Sequence, residues 1–138
     1  MIGLDTNILA RYYIEDDGDA ESLKQREAAR RLIEAGKPLM VSKTVLLELE
    51  WVMRGYYEFE PEAIRAVCAH LLSLTHIQIE DRPQIETALS HYAAGLDFVD
   101  ALHHATYAGC EAMASFDDRR FARRVKKLAL IPNVMIPR

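Results

Sequence analysis

Residues 1–7 read MIGLDTN, a short apolar run that ends abruptly in three polar residues. Residues 2–4 read as a buried strand, and a helical pattern begins at Asn7. The stretch therefore predicts a strand, a turn and a helix in immediate succession. Asp5, at the end of the strand, has two interpretations. It is a helix N-cap that accepts backbone N–H groups, or an acid of a site at a sheet edge.

The same alternation of strands and helices continues along the chain. The predicted strands are residues 2–4, 39–41, 77–79, 112–116 and 134–136. The predicted helices are residues 7–13, 20–35, 44–54, 61–74, 82–94, 98–108 and 119–128. Strands separated by helices predict an α/β fold with a mainly parallel central sheet of four to five strands flanked by helices. Because no repeat or Pro/Gly/Ser linker interrupts the pattern, we expect a single domain over residues 1–138.

The composition indicates a cytoplasmic protein of ordinary globular type. The 138 residues are 50% hydrophobic. The net charge of −4 argues against nonspecific binding of nucleic acid over the whole surface. No signal peptide pattern or membrane span is evident. We expect Cys68 and Cys110 to be buried thiols. The acidic stretch 15–19 lacks the spacing of a calcium loop and is expected to be a solvated loop.

Carboxylates follow the predicted strands at positions where a functional site is expected. Ligands of α/β proteins gather outside the carboxyl ends of parallel strands. Asp5 follows the first strand and Asp117 the fourth, so both lie at that edge if the two strands are parallel. At the fourth strand we expect Asp117 to turn inward and Asp118 to cap the next helix.

Two helices contribute further candidate acids. Glu48 and Glu50 are about 200° apart on a helix, so at most one of them faces a site, and position alone leaves the choice open. Asp97 and Asp100 lie on one helix face. They are also explained as a helix cap and a first-turn acid that favours the helix dipole.

A cluster of these acids would require a cation. Neighbouring carboxylates disfavour each other's ionised forms unless an opposite charge lies among them. A hard divalent ion such as Mg²⁺ or Mn²⁺ is the natural partner of oxygen ligands. The candidate metal-binding residues are Asp5, Glu48, Asp100 and Asp117.

A local basic segment follows the last of these acids. Its members are Arg119, Arg120, Arg123, Arg124, Lys126 and Lys127. Phe121, Val125 and Leu128 have the spacing of a buried helical stripe, so a solvated basic face explains the segment without any function. The four arginines are also candidates for RNA binding.

Four segments together resemble PIN-domain ribonucleases, and more closely the VapC-type toxins of type II toxin–antitoxin systems. They are residues 3–9, 47–52, 97–103 and 114–117, and the first and third are the more specific. The resemblance implies that Asp5, Glu48, Asp100 and Asp117 bind one or two Mg²⁺ or Mn²⁺ ions and are catalytic, with Asp97, Ser115 and Asn7 as accessory residues. It favours Glu48 over Glu50.

The resemblance also implies a function and partners. It implies a single-strand-type endoribonuclease that cleaves phosphodiester bonds with metal-activated water, a homodimer, and a VapB-like antitoxin. Candidate antitoxin contacts near Glu48 are Tyr12, Trp51, Val52, Tyr56 and Tyr57. Two alternatives remain. One is a noncatalytic PIN-like binding module, and the other is an aspartyl phosphotransferase, although Asn7 stands where that chemistry usually needs a second Asp.

Overall fold

A computed structural model describes residues 1–15 and 18–138 of the chain. Asp16 and Asp17, in the middle of the acidic stretch predicted to be a solvated loop, lie outside the described residues. The chain divides into two compact units, Met1–Asp81 and Arg82–Arg138. Within the described residues, no helix is both long and apolar enough to cross a membrane.

The described part of the first unit, residues 1–15 and 18–81, contains a three-stranded parallel sheet and four α-helices. Its elements in chain order are β1 (Ile2–Gly3), α1 (Thr6–Tyr13), α2 (Ala20–Glu34), β2 (Leu39–Val41), α3 (Lys43–Trp51), α4 (Pro61–Ser73) and β3 (Ile77–Ile79). The strand order is β1-β2-β3, with Ile2 opposite Leu39 and Leu39 opposite Ile77. Each parallel step is made by an intervening helix, as parallel pairing requires.

Local sequence explains where these helices begin. Asp5 caps α1, Asp19 caps α2 and Ser42 caps α3, in each case through a side-chain oxygen that accepts a backbone N–H. Helix α4 begins with Pro61, which lacks the N–H that a first helical turn leaves unpaired.

The core of the first unit forms where the helices cover the central strand β2. Leu39 and Val41 of β2 are fully buried, as are Leu9 of α1 and Leu49 of α3. Burying a side chain of this size contributes about 1.5–3 kcal/mol. Because α1 packs against both α2 and α3, this core fixes the start of α1 relative to the middle of α3.

Helix α3 continues into a π-helical turn over Val52–Tyr56. The Tyr57 backbone N–H donates to Val52 O at 3.2 Å, and the Phe59 N–H donates to Met53 O at 2.8 Å. The predicted helix over residues 44–54 therefore extends further than expected, and Gly55 does not end it.

The second unit contains three α-helices and a two-stranded parallel sheet. Its elements are α5 (Arg82–Ala93), α6 (Phe98–Thr106), β4 (Ala112–Ala114), a π-helical turn (Asp118–Ala122), α7 (Arg123–Lys127) and β5 (Asn133–Met135). β4 pairs with β5, with Met113 opposite Val134. Phe98 and Phe121 are fully buried, and so is His104, whose Nε2 donates to Pro132 O at 2.6 Å.

The α/β class and the parallel pairing are confirmed, but the expected single sheet of four to five strands is wrong. The five strands of the described residues form two sheets, β1-β2-β3 and β4-β5. Within the described residues, β4 pairs with β5 alone, and the Ser115 N–H extends that pairing to Met135 O at 3.0 Å. The cysteines also differ from each other, since Cys68 is buried whereas Cys110 is exposed.

Candidate active site

Thr6 links two of the predicted acids, Asp5 and Glu48, in the first unit. Asp5 lies directly after β1, and its Oδ1 accepts the Thr6 backbone N–H at 2.8 Å. The Thr6 hydroxyl donates to Glu48 Oε1 at 3.2 Å, across 42 positions of sequence. Thr6 itself is buried, whereas both carboxylates are exposed. Thr6 therefore orients two solvent-accessible acids, Asp5 through its backbone N–H and Glu48 through its hydroxyl.

The structure separates Glu48 from its neighbour Glu50. Glu50 is only 1% exposed, and its carboxylate accepts from Arg54 Nε at 2.8 Å and from Arg54 Nη2 at 3.4 Å. Glu48 instead lines an open cleft with Asp5. The two glutamates thus have different environments, because α3 turns one toward the interior and the other toward the cleft.

The cleft that contains Asp5 and Glu48, here called the acid cleft, has a volume of about 420 Å³. Its other lining residues are Thr6, Asn7, Ala10, Arg11, Gln25, Val52 and Tyr57. Arg11 is positioned by Gln25, whose Oε1 accepts from Arg11 Nε at 2.9 Å. The acid cleft therefore presents two carboxylates, one guanidinium group and one aromatic ring.

Three further predicted acids lie together in the second unit. Asp97 caps α6, and its Oδ1 accepts the Asp100 N–H at 3.1 Å. The pKa of Asp100 is raised, chiefly by burial and then by the negative charges of Asp97 and Asp117, while His103 acts in the opposite direction. The negative charges of Asp97 and Asp117 thus repel the ionised form of Asp100. A cation among them would relieve that repulsion.

The fourth acidic segment differs from expectation in its capping. Asp117, not Asp118, caps the following turn, because Asp117 Oδ1 accepts the Arg120 N–H at 3.0 Å. Asp118 instead pairs with Arg123, at 3.0 Å from Nη2. The Ser115 hydroxyl accepts the Asp117 N–H at 3.1 Å and so fixes the backbone that carries the cap. The cap uses one oxygen of Asp117, and a carboxylate has a second one.

The basic segment is divided between internal contacts and solvent. Arg123 pairs with Asp118, and Arg124 Nη1 donates to Gly95 O at 2.6 Å. Arg119 and Arg120 are exposed. The predicted buried stripe is correct for Phe121 and Val125, but Leu128 is 37% exposed. Leu128 is the C-cap of α7, which ends at Lys127, so it lies beyond the buried helical stripe.

The candidate antitoxin contacts do not lie on one surface. Val52 and Tyr57 line the acid cleft, and Trp51 and Tyr56 are 61% and 75% exposed. Tyr12 lines a different cleft, together with Tyr13 and His70, and its hydroxyl donates to Glu34 Oε2 at 2.9 Å. The predicted group is therefore divided, because Tyr12 belongs to the cleft between α1, α2 and α4.

The donor set has the chemistry that Mg²⁺ or Mn²⁺ requires. All five acids offer hard carboxylate oxygens, and Mg²⁺ is usually held by one or two carboxylates with water completing its shell. Across residues 1–15 and 18–138, no three His, Cys, Asp or Glu side chains are grouped closely enough to enclose an ion. The pair in the acid cleft thus fits a partly hydrated ion better than a closed protein cage.

Several residues of the acid cleft were not found from sequence. Thr6 was seen only as part of a polar helix start, although its backbone N–H donates to Asp5 and its hydroxyl donates to Glu48. Arg11 and Gln25 come from two different helices and carry no motif. For Thr6, Arg11 and Gln25, the sequence signal is limited to the four-residue spacing of Asn7 and Arg11, which places those two on one helix face. Tyr57, by contrast, was expected near Glu48 as a candidate antitoxin contact, and it lines the cleft just after the π-helical turn.

The fold and these acids can now be compared with known proteins. The chain belongs to the PIN domain family, whose model matches residues 2–127. Among solved structures, the chain is similar to VapC20 of Mycobacterium tuberculosis, described as a sarcin-ricin loop cleaving toxin. The identity is 23%, the match covers 81% of this chain and 86% of that chain, and the TM-score is 0.42. No curated protein matches the chain significantly.

Proposed function

We propose that this PIN-domain protein is a metal-dependent endoribonuclease and the toxin of a toxin–antitoxin pair. The observation that carries the proposal is the acid cleft, in which Thr6 holds Asp5 and Glu48 together in a chain that belongs to the PIN domain family. Its reaction is hydrolysis of an RNA phosphodiester bond, leaving a 5′-phosphate and a 3′-hydroxyl.

The proposed roles follow from the contacts of each residue. Asp5 and Glu48 are metal-binding acids, and Thr6 fixes their orientation. Asp100 and Asp117 are further metal-binding acids with Asp97 as an accessory acid, and Ser115 supports Asp117 through its backbone. When bound, Mg²⁺ or Mn²⁺ would lower the pKa of the attacking water and neutralise charge on the phosphate. Asn7, also in the acid cleft, is an accessory residue that can contact the substrate.

The toxin assignment extends to partners. The proposal includes a VapB-like antitoxin whose C-terminal segment occupies the acid cleft and thereby excludes RNA, and it includes a homodimer. The exposed arginines Arg119 and Arg120 are suited to phosphate groups of RNA. Arg123 and Arg124, which are held by internal contacts, are less available for that role.

A noncatalytic binding module is the second candidate function. It is favoured by one observation, namely that Asp5, Asp97 and Asp117 all cap helical turns. A cap does not exclude catalysis, because each of these bonds engages a single carboxylate oxygen. Membership of the PIN domain family leaves the aspartyl phosphotransferase alternative without support.

The test compares wild type with Asp5→Asn and with Asp19→Asn as a matched control. Asp19 also caps a helix, since its Oδ1 accepts the Ser22 N–H at 3.0 Å, and Asn caps as well as Asp does. Both variants therefore keep a cap and lose one charge, but only Asp5→Asn loses it in the acid cleft.

Wild type and Asp19→Asn should cleave RNA in the presence of Mg²⁺ or Mn²⁺, and EDTA should stop the cleavage. The cleavage rate of Asp5→Asn should be lower by roughly 100-fold or more. Expression in a host cell should arrest growth for the first two proteins only. A purified wild type that never cleaves RNA with either metal would favour the binding module.

A further inference from the structure

The wall of the acid cleft beyond Asp5 and Glu48 carries a cation and an aromatic ring, Arg11 and Tyr57. Neither residue has a place in the acid chemistry described above. We propose that these two residues form a nucleotide subsite, in which Tyr57 stacks on one unpaired base of single-stranded RNA and Arg11 binds an adjacent phosphate. This inference rests on the proposed function and identifies how the same cleft holds its substrate.

The ring of Tyr57 is held in place before any ligand arrives. It packs edge-on with Tyr56 at a centroid distance of 4.8 Å and an angle of 71°, and with Phe59 at 6.3 Å and 60°. The Tyr57 N–H donates to Val52 O in the π-helical turn. A ring with a fixed position loses little conformational entropy when it stacks on a base.

The local backbone also points to a functional role. π-Helical turns are rare and frequently lie at functional sites. Here the turn over Val52–Tyr56 directly follows α3, which carries Glu48. Both Val52, at its start, and Tyr57, just after its end, line the acid cleft. The turn thus brings an aromatic side chain to the cleft that Glu48 already lines.

With a divalent cation held by Asp5 and Glu48, the charges in the cleft would favour a polyanion over an apolar ligand. Two carboxylates with a bound divalent cation attract one phosphate, and the Arg11 guanidinium, positioned by Gln25, suits a neighbouring one. The volume of about 420 Å³ lies within the usual range of small-ligand pockets, about 300–1,000 Å³, and the cleft is open to solvent. A metal-loaded acid pair, a guanidinium group and a ring in one cleft would match a phosphate, a second phosphate and a base.

The stacking ring also predicts the strandedness of the substrate. A base is available for stacking only when it is unpaired, and aromatic stacking is tolerant of base identity because every base has a π-face. The subsite is therefore expected to select single-stranded RNA rather than a particular sequence.

The test measures binding separately from cleavage. A short single-stranded RNA that carries 2-aminopurine is titrated into full-length Asp5→Asn in EDTA, and quenching of the fluorescent base reports stacking. In this background, Tyr57→Phe should bind and quench as its parent does, because it keeps the ring. Tyr57→Leu should lose the quenching and bind about tenfold more weakly.

Arg11 provides an independent arm if Tyr57→Leu does not fold. Arg11→Gln should weaken binding and lower the dependence of log affinity on log salt concentration by about one unit. The control is Arg31→Gln, which removes an exposed arginine of α2 that does not line the acid cleft. It should leave the RNA affinity and its salt dependence unchanged.

The outcomes separate this subsite from the proposed function. If wild type cleaves RNA but folded Tyr57→Leu and Arg11→Gln bind and quench as their parent does, the subsite is overturned and the nuclease stands. If wild type does not cleave RNA but these variants lose stacking and salt dependence as expected, the subsite stands and the nuclease fails. Equal quenching with a fully double-stranded RNA would also overturn the subsite.

Discussion

The Thr6 hydroxyl donates a hydrogen bond to Glu48 Oε1 over 3.2 Å, so the first turn of α1 is fixed to the exposed side of α3. The Thr6 N–H simultaneously donates to Asp5. Because Thr6 is buried and both acids are exposed, it orients them without occupying the space in front of them. Its role is positioning.

Thr6→Val should therefore lower RNA cleavage by roughly 10- to 100-fold, the usual effect of losing a residue that orients metal-binding groups. Thr6→Ser keeps the hydroxyl and should restore most of the activity. The measurement is the rate of cleavage as a function of Mg²⁺ concentration. A shift of that curve to higher Mg²⁺ for Thr6→Val, reversed in Thr6→Ser, indicates positioning. Equal losses in the two variants would contradict it.

Glu48 and Glu50 should respond oppositely to the same substitution. Glu48→Gln removes a charge from the acid cleft and should abolish cleavage while the free energy of unfolding stays nearly constant. Glu50→Gln weakens a buried bond to Arg54 and should lower the free energy of unfolding by about 1.5–3 kcal/mol. Urea unfolding and cleavage assays on both variants check this. A stable, inactive Glu50→Gln would reverse the assignment.

Much of the fold could be predicted from sequence, because local signals determine where its elements begin and end. Asp97 before an apolar periodic run predicts the start of α6, and Gly36 follows the end of α2 closely. The pairing of β4 with β5 could not be predicted, since neither strand's sequence specifies its neighbour.

The site was predictable only in part, for a similar reason. Asp5 stands out because it interrupts an apolar strand. Residue spacing could not separate Glu48 from Glu50. The family resemblance favoured Glu48, and the burial of Glu50 in the structure distinguishes the two environments. The assignment of the cap to Asp118 was wrong because the turn begins one residue earlier than expected. Arg11 and Gln25 come together through the packing of α1 against α2, which no local pattern encodes.

Asp100 should make the stability of the protein depend on pH. Its pKa is raised above the ordinary value of 3.8, so the folded state binds its proton more tightly than the unfolded state does. Its contribution to stability is present below the unfolded pKa and is lost as pH rises through the folded pKa. In EDTA, Asp100→Asn should therefore unfold at a higher temperature than wild type at neutral pH, with the difference shrinking toward acidic pH.

The neighbouring acid provides the control for this prediction. Asp97→Asn keeps the α6 cap and removes one of the charges that raise the pKa of Asp100. NMR titration of Asp100 should therefore show a lower pKa in Asp97→Asn than in wild type. An unchanged pKa would mean that burial and the charge of Asp117, rather than the charge of Asp97, are responsible.

The two cysteines should differ sharply in reactivity. Cys68 is 4% exposed, and burial together with the nearby charge of Glu50 raises its pKa to about 12. Cys110 is exposed. Since the thiolate is the reactive form, a thiol reagent at neutral pH should modify Cys110 rapidly and Cys68 only after unfolding. Cys110→Ser should remove the fast phase, measured by mass spectrometry. A fast phase that persists in Cys110→Ser would show that α4 opens in the folded protein and exposes Cys68.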